Sequence, residues 1–462
     1  MSKVANITRL LAENVTSVAC QPLDANVATM AQLSLLNVLG TAIGASGEPA
    51  VSAVVTLGIR HGGPRTVPIP GRGTRLDPLR GATAIGLAAH LDDFDDTHLA
   101  TVIHPGAAAL AASLAVGVPA AVTGDKFLTA FALGCEVQLR LGVTMSPWHY
   151  DQGWHITGTV APIGAAVTAA LLGGADVDVL ERAISVAAQM TLGHREGFGS
   201  MIKPFHPGKG AANGVLAAAL ASGGCSGPDD ALARYGGYFP VLSTRYEPER
   251  LNRDFGANWE LSSNTFKPYP CGIVCHPAID AALSLSAPVN QHLDRIETIT
   301  VHCHPLVAEL TGNPQPQTGL QARFSTIHGV AAGIADGVVA LPQYADVRVM
   351  ARDLIRLRSL TRLMVDPGRA RDSSRVELTL SDGQVVSEEV VHARGSLERP
   401  MSYEELMGKV TGLVEPVLPG STPAIAQAVM GMGALENLEP LLEPLIASDD
   451  EHADVRLAGA DR

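Results

Sequence analysis

Residues 90–105 read His-Leu-Asp-Asp-Phe-Asp-Asp-Thr-His-Leu-Ala-Thr-Val-Ile-His-Pro, and nowhere else in the chain is ionisable content so concentrated. Asp92, Asp93, Asp95 and Asp96, together with His90, His98, His104 and Thr97, lie between stretches made almost wholly of Ala, Gly, Leu and Val. An apolar scaffold that holds carboxylates and imidazoles in so short a segment must take some of them out of water. Desolvated and mutually interacting, such groups shift their pKa values towards the range where protons transfer efficiently at neutral pH. The competing reading is a solvated acidic turn between helices. The interspersed histidines and the closing His-Pro argue against it.

Three further segments combine basic residues with Gly and Pro. Gly153-Trp154-His155-Ile156-Thr157-Gly158-Thr159 places His155 at a helix start, where an anion is favoured, with Thr157 or Thr159 able to cap. Gly199 to Ala212 sets Lys203 and His206 in a constrained turn before an Ala-rich helix. It is outwardly similar to a phosphate loop, but the Gly-x-x-x-x-Gly-Lys-Ser/Thr spacing is absent. A lysine reaching a substrate carboxylate fits better. In Phe266-Lys267-Pro268-Tyr269-Pro270-Cys271-Gly272, two prolines stiffen the backbone behind Lys267, and His276 then starts a helix. This basic corner falls where two domains meet, a common place for ligands.

The elements that must position these groups follow from periodicity. From about residue 5 to 265 apolar residues recur at helical spacing, for example over Val27–Ile43, Pro105–Leu114, Asp125–Leu139, Thr157–Leu172 and Val177–Met190. After about 290 the period changes. Ile299, Val301 and Cys303 alternate with polar neighbours, and so do Val376, Leu378 and Leu380, with Ser381-Asp382-Gly383 as a hairpin turn before Val385. Helices are predicted over Ser325–Asp336 and Ala345–Arg356, and Ser402 with Glu405 forms a capping box that opens a helical return. The fold class is therefore mainly α with an α+β second domain. Residues 1–268 form the first part of a large discontinuous helical domain, 269–398 a smaller α+β lid, 399–450 the helical return, and 451–462 a disordered tail.

Composition narrows the partners. The chain of 462 residues is 46% hydrophobic but only 4% aromatic, which predicts closely packed helices with small contact residues. A net charge of −13 excludes nucleic acid and acidic membrane surfaces as partners and requires a local basic cluster for any anionic substrate. The six cysteines lack a disulfide-like or Cys-x-x-Cys spacing, which predicts a reducing, cytoplasmic setting, and Cys271 and Cys275 read as buried thiols rather than zinc ligands. The N-terminal twenty residues lack the continuous apolar core of a secretory signal, and the apolar run Gly106–Val122 is broken by Pro119, which reads as a buried helix and not a membrane span.

Taken in order, "HLDDFDDTHLATVIHPG", "GWHITGT", "GSMIKPFHPGKGAANG", "FKPYPCG" with "HPAIDAA", and "ARFS" with "ADG" resemble the MmgE/PrpD family along nearly the whole chain. That family includes 2-methylcitrate dehydratase, cis-aconitate decarboxylase and iminodisuccinate epimerase. The resemblance implies a helical domain with a smaller lid, a homodimer, a site in the cleft between domains, and catalysis without a metal or nucleotide cofactor. Carried over by motif, it implies active-site roles for Asp93, Thr97, His104, His155, Lys203, Lys267 and His276. Where the family pattern expects a tyrosine after "ARFS", His328 stands in this chain.

The expected chemistry is proton movement next to a carboxylate. Lys203 and Lys267, helped by His276, would bind and neutralise carboxylates, lowering the barrier to a carbanion. His104 and His155 are the acid/base candidates, with Asp93 orienting an imidazole or taking the proton itself. Thr97 and His328 would contact substrate. Loss of hydroxide makes this a hydro-lyase, loss of carbon dioxide a decarboxylase, and reprotonation on the other face an epimerase. A non-catalytic anion-binding protein is the alternative of a different class. The partner expected is a small carboxylate, with no metal, no organic cofactor and a second copy of the chain.

Overall fold

The computed structural model describes residues 6–447, so the expected disordered tail lies outside the described residues. The apolar periodicity of the first half becomes helices α1 (Ile7–Ala19), α2 (Ala25–Gly44), α3 (Pro49–His61), α4 (Pro78–Leu91), α5 (Pro105–Gly117), α6 (Gly124–Met145), the single turn α7 (Trp148–Asp151), α8 (Ile156–Leu172), α9 (Val177–Ala187) and α10 (Ile202–Ser222). Local chemistry sets their starts. The side chains of Asp24, Asp77, Thr123 and Asp176 accept from first-turn N–H groups that would otherwise be orphaned. At α5 and α8 the N-cap residues are His104 and His155, and neither ring caps its helix. Both imidazoles are thereby free for other work.

Small residues let these helices approach closely. A Cβ added to Gly86 on α4 would lie 2.7 Å from Gly208 Cα on α10, and one on Gly208 would lie 2.4 Å from the Thr83 carbonyl. Among the described residues two helices, Ala25–Gly44 and Gly124–Met145, are long and apolar enough to cross a membrane. In this fold both contribute buried residues to the helical core.

Two short ribbons pin the loops before and after α4. β1 (Val67–Pro68) pairs with β2 (Arg75–Leu76), and β3 (Asp96–Thr97) pairs antiparallel with β4 (Thr265–Phe266). The second ribbon ties the acidic segment to the stretch that leads into Lys267.

The remainder is α+β. β5 (Ile296–Cys303), β6 (Thr361–Val365), β7 (Ser374–Leu380) and β8 (Val385–Val390) form a sheet in the order β6-β5-β7-β8, with β5 and β6 parallel and the other pairs antiparallel. Gly383 turns the β7–β8 hairpin at φ 84°, a left-handed conformation suited to glycine. His276–Val289 and Thr326–Asp336 are helices that pack against one another, and the first also packs on β7 and β8. Buried side chains from Tyr269 to Val390 make one core, while those from Leu11 to Phe266 make another that Leu406, Val410, Val414, Ile425 and Val429 rejoin from the C-terminal helices. The first of those, Tyr403–Val414, opens on the Ser402/Glu405 capping box in full.

Three local readings are corrected. Lys203 and His206 lie within α10, not in a turn before it, because Pro204 occupies a first-turn position where no N–H is needed. The segment expected as one helix over Ala345–Arg356 breaks into Asp346–Val349 and Arg352–Leu360. β6 was not expected, since it is short and mostly exposed at a sheet edge and so lacks apolar alternation.

Candidate active site

A cavity of about 50 Å³ lies between the helical domain and the lid, walled by Asp93, Thr97, His104, His155, Lys203 and Lys267 among others. Each group arrives from a different element. The loop after α4 brings Asp93, β3 brings Thr97, the N-termini of α5 and α8 bring His104 and His155, the first turn of α10 brings Lys203, and the segment after β4 brings Lys267. All six are buried.

Asp93 is the hub. Its Oδ1 accepts from Lys203 Nζ at 2.5 Å and lies 3.1 Å from Lys267 Nζ, which also donates to the Asp93 carbonyl at 3.0 Å. Burial acts to raise the Asp93 pKa, but Lys203, Lys267 and the nearby imidazoles outweigh it and hold the carboxyl well below its usual range. Burial also pulls the Lys203 pKa down, against the attraction of Asp93. The backbone of Asp93 is left-handed, at φ 50°.

His104 has a defined tautomer. Its Nδ1 lies 2.9 Å from the Asp96 carbonyl, which can only accept, so Nδ1 carries the proton. Thr97 Oγ1 is 3.0 Å from the same nitrogen, and Asp95 Oδ1 is 3.2 Å away. The other ring nitrogen, Nε2, is left with a bare lone pair, 3.8 Å from Asp93 Oδ1. Asp95 also accepts from His90 Nδ1 at 2.7 Å and is wholly buried between the two imidazoles. Burial lowers the pKa of His104, partly offset by Asp95, and brings His90 to about 3.

His155 joins His206 through Nδ1 atoms 2.9 Å apart and keeps a buried Nε2 with no partner. Its pKa is well below the usual histidine value, through burial and then Lys203. Thr157 and Thr159 do not cap α8. Thr157 Oγ1 accepts from the His104 amide at 3.2 Å, and Thr159 Oγ1 meets His149 Nε2 at 2.8 Å. Asp96 stands apart: burial, then the charge of Asp95, raises it to about 7, while Asn264 and the Gly106 amide hold its two oxygens.

Two expected substrate contacts lie off the cavity wall. His328 is enclosed in the lid, where Nε2 donates to the Gln343 carbonyl at 2.9 Å and Nδ1 accepts from Arg358 at 3.1 Å. Both ring nitrogens are spent, so none is left for a substrate. His276 is buried behind Lys267, edge-on to the Tyr269 ring with centroids 5.3 Å apart. It acts on the site only at a distance.

Several groups on or near the wall were not anticipated. Tyr150 lines the cavity and is packed under the Arg195 guanidinium at 4.4 Å; burial raises its pKa. Phe198 and Phe324 present ring faces to the Lys203 ammonium, at 5.4 and 4.9 Å. Lys409, from the C-terminal return, donates to the carbonyls of Phe94 and Lys267 at 2.6 and 2.9 Å and so ties the acidic segment to the second lysine. A tyrosine within "WHYDQGWH" and a lysine on a distant helix carry no spacing signal of their own.

Ligand atoms of His90, Asp93, Asp95 and His104 lie within 4.8 Å of one another, a donor set with the geometry to hold a divalent cation. Asp93 Oδ1 already faces two ammonium groups, however, and these occupy the side from which a cation would draw its charge.

Comparison with known proteins decides the lineage. The MmgE/PrpD N-terminal domain matches residues 9–251 and the MmgE/PrpD C-terminal domain residues 269–430. The chain belongs to the MmgE/PrpD family. Among its relatives in that family are cis-aconitate decarboxylases: one from Aspergillus terreus, 25% identical over 406 residues (81% of this chain and 82% of the relative), and one from Mus musculus, 27% identical over 387 residues (79% and 77%). A third, from Homo sapiens, is 27% identical over 384 residues, covering 79% of this chain and 78% of the relative. The mainly helical fold with an α+β second part agrees with the expected class.

Proposed function

We propose that this MmgE/PrpD protein is a lyase acting on a small di- or tricarboxylate, and that decarboxylation of an aconitate-like acid is its reaction. The observation that carries the reading is the convergence of two lysines, Lys203 and Lys267, and two histidines, His104 and His155, on the wall of one cavity. The names of the relatives favour decarboxylation over dehydration. The reading includes a homodimer and no metal or organic cofactor, so activity is expected to survive exhaustive chelation.

In this reading the substrate's carboxylates take over Lys203 and Lys267 from Asp93. The C–C bond to one carboxylate breaks and carbon dioxide leaves. The electron pair passes into the carbon framework beside a lysine-paired carboxylate, where its charge is stabilised. An imidazolium then delivers one proton to carbon and regains it from water, so each turnover consumes one proton. His104 suits this exchange. Its Nδ1 proton is fixed by a backbone carbonyl, its Nε2 is left free for a second proton 3.8 Å from Asp93 Oδ1, and the Asp95 charge stabilises the protonated ring. Thr97 donates to the bound substrate.

The test is a panel of di- and tricarboxylates that includes cis-aconitate, followed by proton NMR together with carbon dioxide release. Loss of substrate with stoichiometric carbon dioxide is expected, and His104→Gln or His155→Gln should remove most of it. Inversion without loss would make the protein an epimerase. No conversion and no exchange of substrate protons with deuterated buffer would reduce it to an anion binder.

A further inference from the structure

The cavity is smaller than the several hundred Å³ typical of small-molecule sites, and its two lysines are already engaged by Asp93. A carboxylate can enter only if Asp93 gives way and the walls part. What holds Asp93 therefore governs the site.

Both peptide carbonyls that flank Asp93 are gripped by cations. Lys267 takes the carbonyl of Asp93 itself at 3.0 Å. Arg323, from the lid, donates to the carbonyl of Asp92 at 2.5 Å through Nη1, while its Nη2 pairs with the Asp92 carboxylate at 2.8 Å. The same Nη1 lies 3.4 Å from the Pro270 carbonyl, and the guanidinium is 5.6 Å from the Tyr344 ring centroid. Arg323 is only 8% exposed, so removing it strands buried acceptors. The residue between the two grips is left-handed, a conformation uncommon outside glycine, although Asp accepts it more readily than most side chains, as Asp230 and Asp254 also do.

Adjacent residues face opposite ways. Asp93 and Phe324 line the small cavity, whereas Asp92 and Arg323 line a second one of about 360 Å³, whose wall also includes Glu48 and Asp346. The Asp92–Arg323 pair is thus the shared wall between the two cavities, one partner from each domain.

We propose that Arg323 is a positioning residue: by clasping Asp92 across the domain boundary it imposes the left-handed turn at Asp93 and makes assembly of the active site depend on lid closure. With the lid apart, Arg323 withdraws, Asp93 relaxes, and Lys203 and Lys267 are released to receive carboxylates. On closure the clasp fixes the Asp93 backbone again beside His104, with the substrate's carboxylates in place of the Asp93 side chain on the two lysines. The part of this inference that concerns turnover rests on the carboxylate-lyase reading; the clasp itself does not.

The experiment uses the full-length protein as wild type, Arg323→Lys and Arg323→Ala, with and without millimolar guanidinium chloride, kept below denaturing concentrations. The second cavity is roomy and its acidic wall favours a small cation, so guanidinium can reach the vacated place. The first readout is amide hydrogen exchange of the peptide spanning residues 88–96, which needs no substrate. Arg323→Ala is expected to raise exchange there at least tenfold without a comparable rise in α6, and guanidinium should reverse most of it. The second is turnover of whichever panel carboxylate the wild type converts. There kcat should fall about a hundredfold with KM within threefold, Arg323→Lys should keep part of the loss at bay, and guanidinium should restore part of it in Arg323→Ala. Unchanged exchange at 88–96, or a rise spread over the whole protein and indifferent to guanidinium, overturns the clasp. A wild type that converts no carboxylate overturns the functional reading alone, since the exchange result still decides the clasp.

Discussion

At the scale of single residues, identity was legible where a side chain's type restricts what it can do, and partnership was not. Asp93, Thr97, His104, His155, Lys203 and Lys267 were singled out as ionisable or polar groups in apolar or Gly/Pro-bounded surroundings, and all six meet at one cavity. Which carboxylate serves which imidazole could not be read from spacing. Asp93 was expected to orient an imidazole or take the proton itself; its carboxylate lies against the two lysines, and it is Asp95 that sits between His90 and His104. His328 shows the converse difficulty. Nothing in "FSTIH" announces that Gln343 and Arg358 will use both of its nitrogens. Asp95→Asn tests the assignment with an almost isosteric change. Removing the charge beside His104 forfeits stabilisation of the imidazolium, which for a charge-assisted contact is about 1.5–3 kcal/mol, or roughly ten- to a hundredfold in rate. The alkaline limb of the kcat/KM profile, where His104 loses the proton it must deliver and which burial already displaces downward, should move to still lower pH. If rate and profile match the wild type, Asp95 serves only to satisfy His90.

At the scale of elements, periodicity found the helices because each buries a continuous apolar face, and it erred where proline or a sheet edge breaks that rule. What it could not show is how closely helices cross. α4 delivers the acidic loop and α10 delivers Lys203, and the two meet at Gly86 and Gly208 with no room for a methyl group on either. The 2.5 Å contact between Asp93 and Lys203 is therefore set partly by two absent side chains. Gly208→Ala should force the helices apart, with an overpacking cost of about 1–3 kcal/mol and a loss of activity larger than the loss of stability would explain. Gly412, on the helix Tyr403–Val414, has open space around its Cβ position and supplies the control: Gly412→Ala should be neutral or slightly stabilising. Denaturation midpoints and turnover for the pair check this, and equal behaviour of the two variants would mean that the crossing does not tune the site.

At the scale of the whole molecule, the same burial that shapes the site makes the fold sensitive to acid. His90 and His276 have pKa values of about 3, and His98, His149, His206 and His328 of about 4, with burial as the leading cause in each. An unfolded chain protonates these rings near pH 6.5. Between about pH 6.5 and 4 the unfolded state thus binds protons that the folded state refuses, so each ring makes stability fall as pH falls. Asp96 works the other way. Its folded value of about 7 lies above its unfolded value near 4, so between those limits the folded state keeps a proton that the unfolded chain releases, and this one group favours the fold on acidification. Six groups oppose one, and Asp93 and Asp95, both held below the usual carboxylate range, add a further loss at lower pH still. The free energy of unfolding in urea should therefore decline steadily from pH 7 to pH 4.5. His328→Gln, remote from the cavity and unable to titrate, should flatten that decline by one group's share while leaving the pH profile of turnover in place. A flat or rising stability curve over this range would mean that the buried imidazoles are already charged in the folded protein, and the neutral resting tautomer assigned to His104 would fall with them.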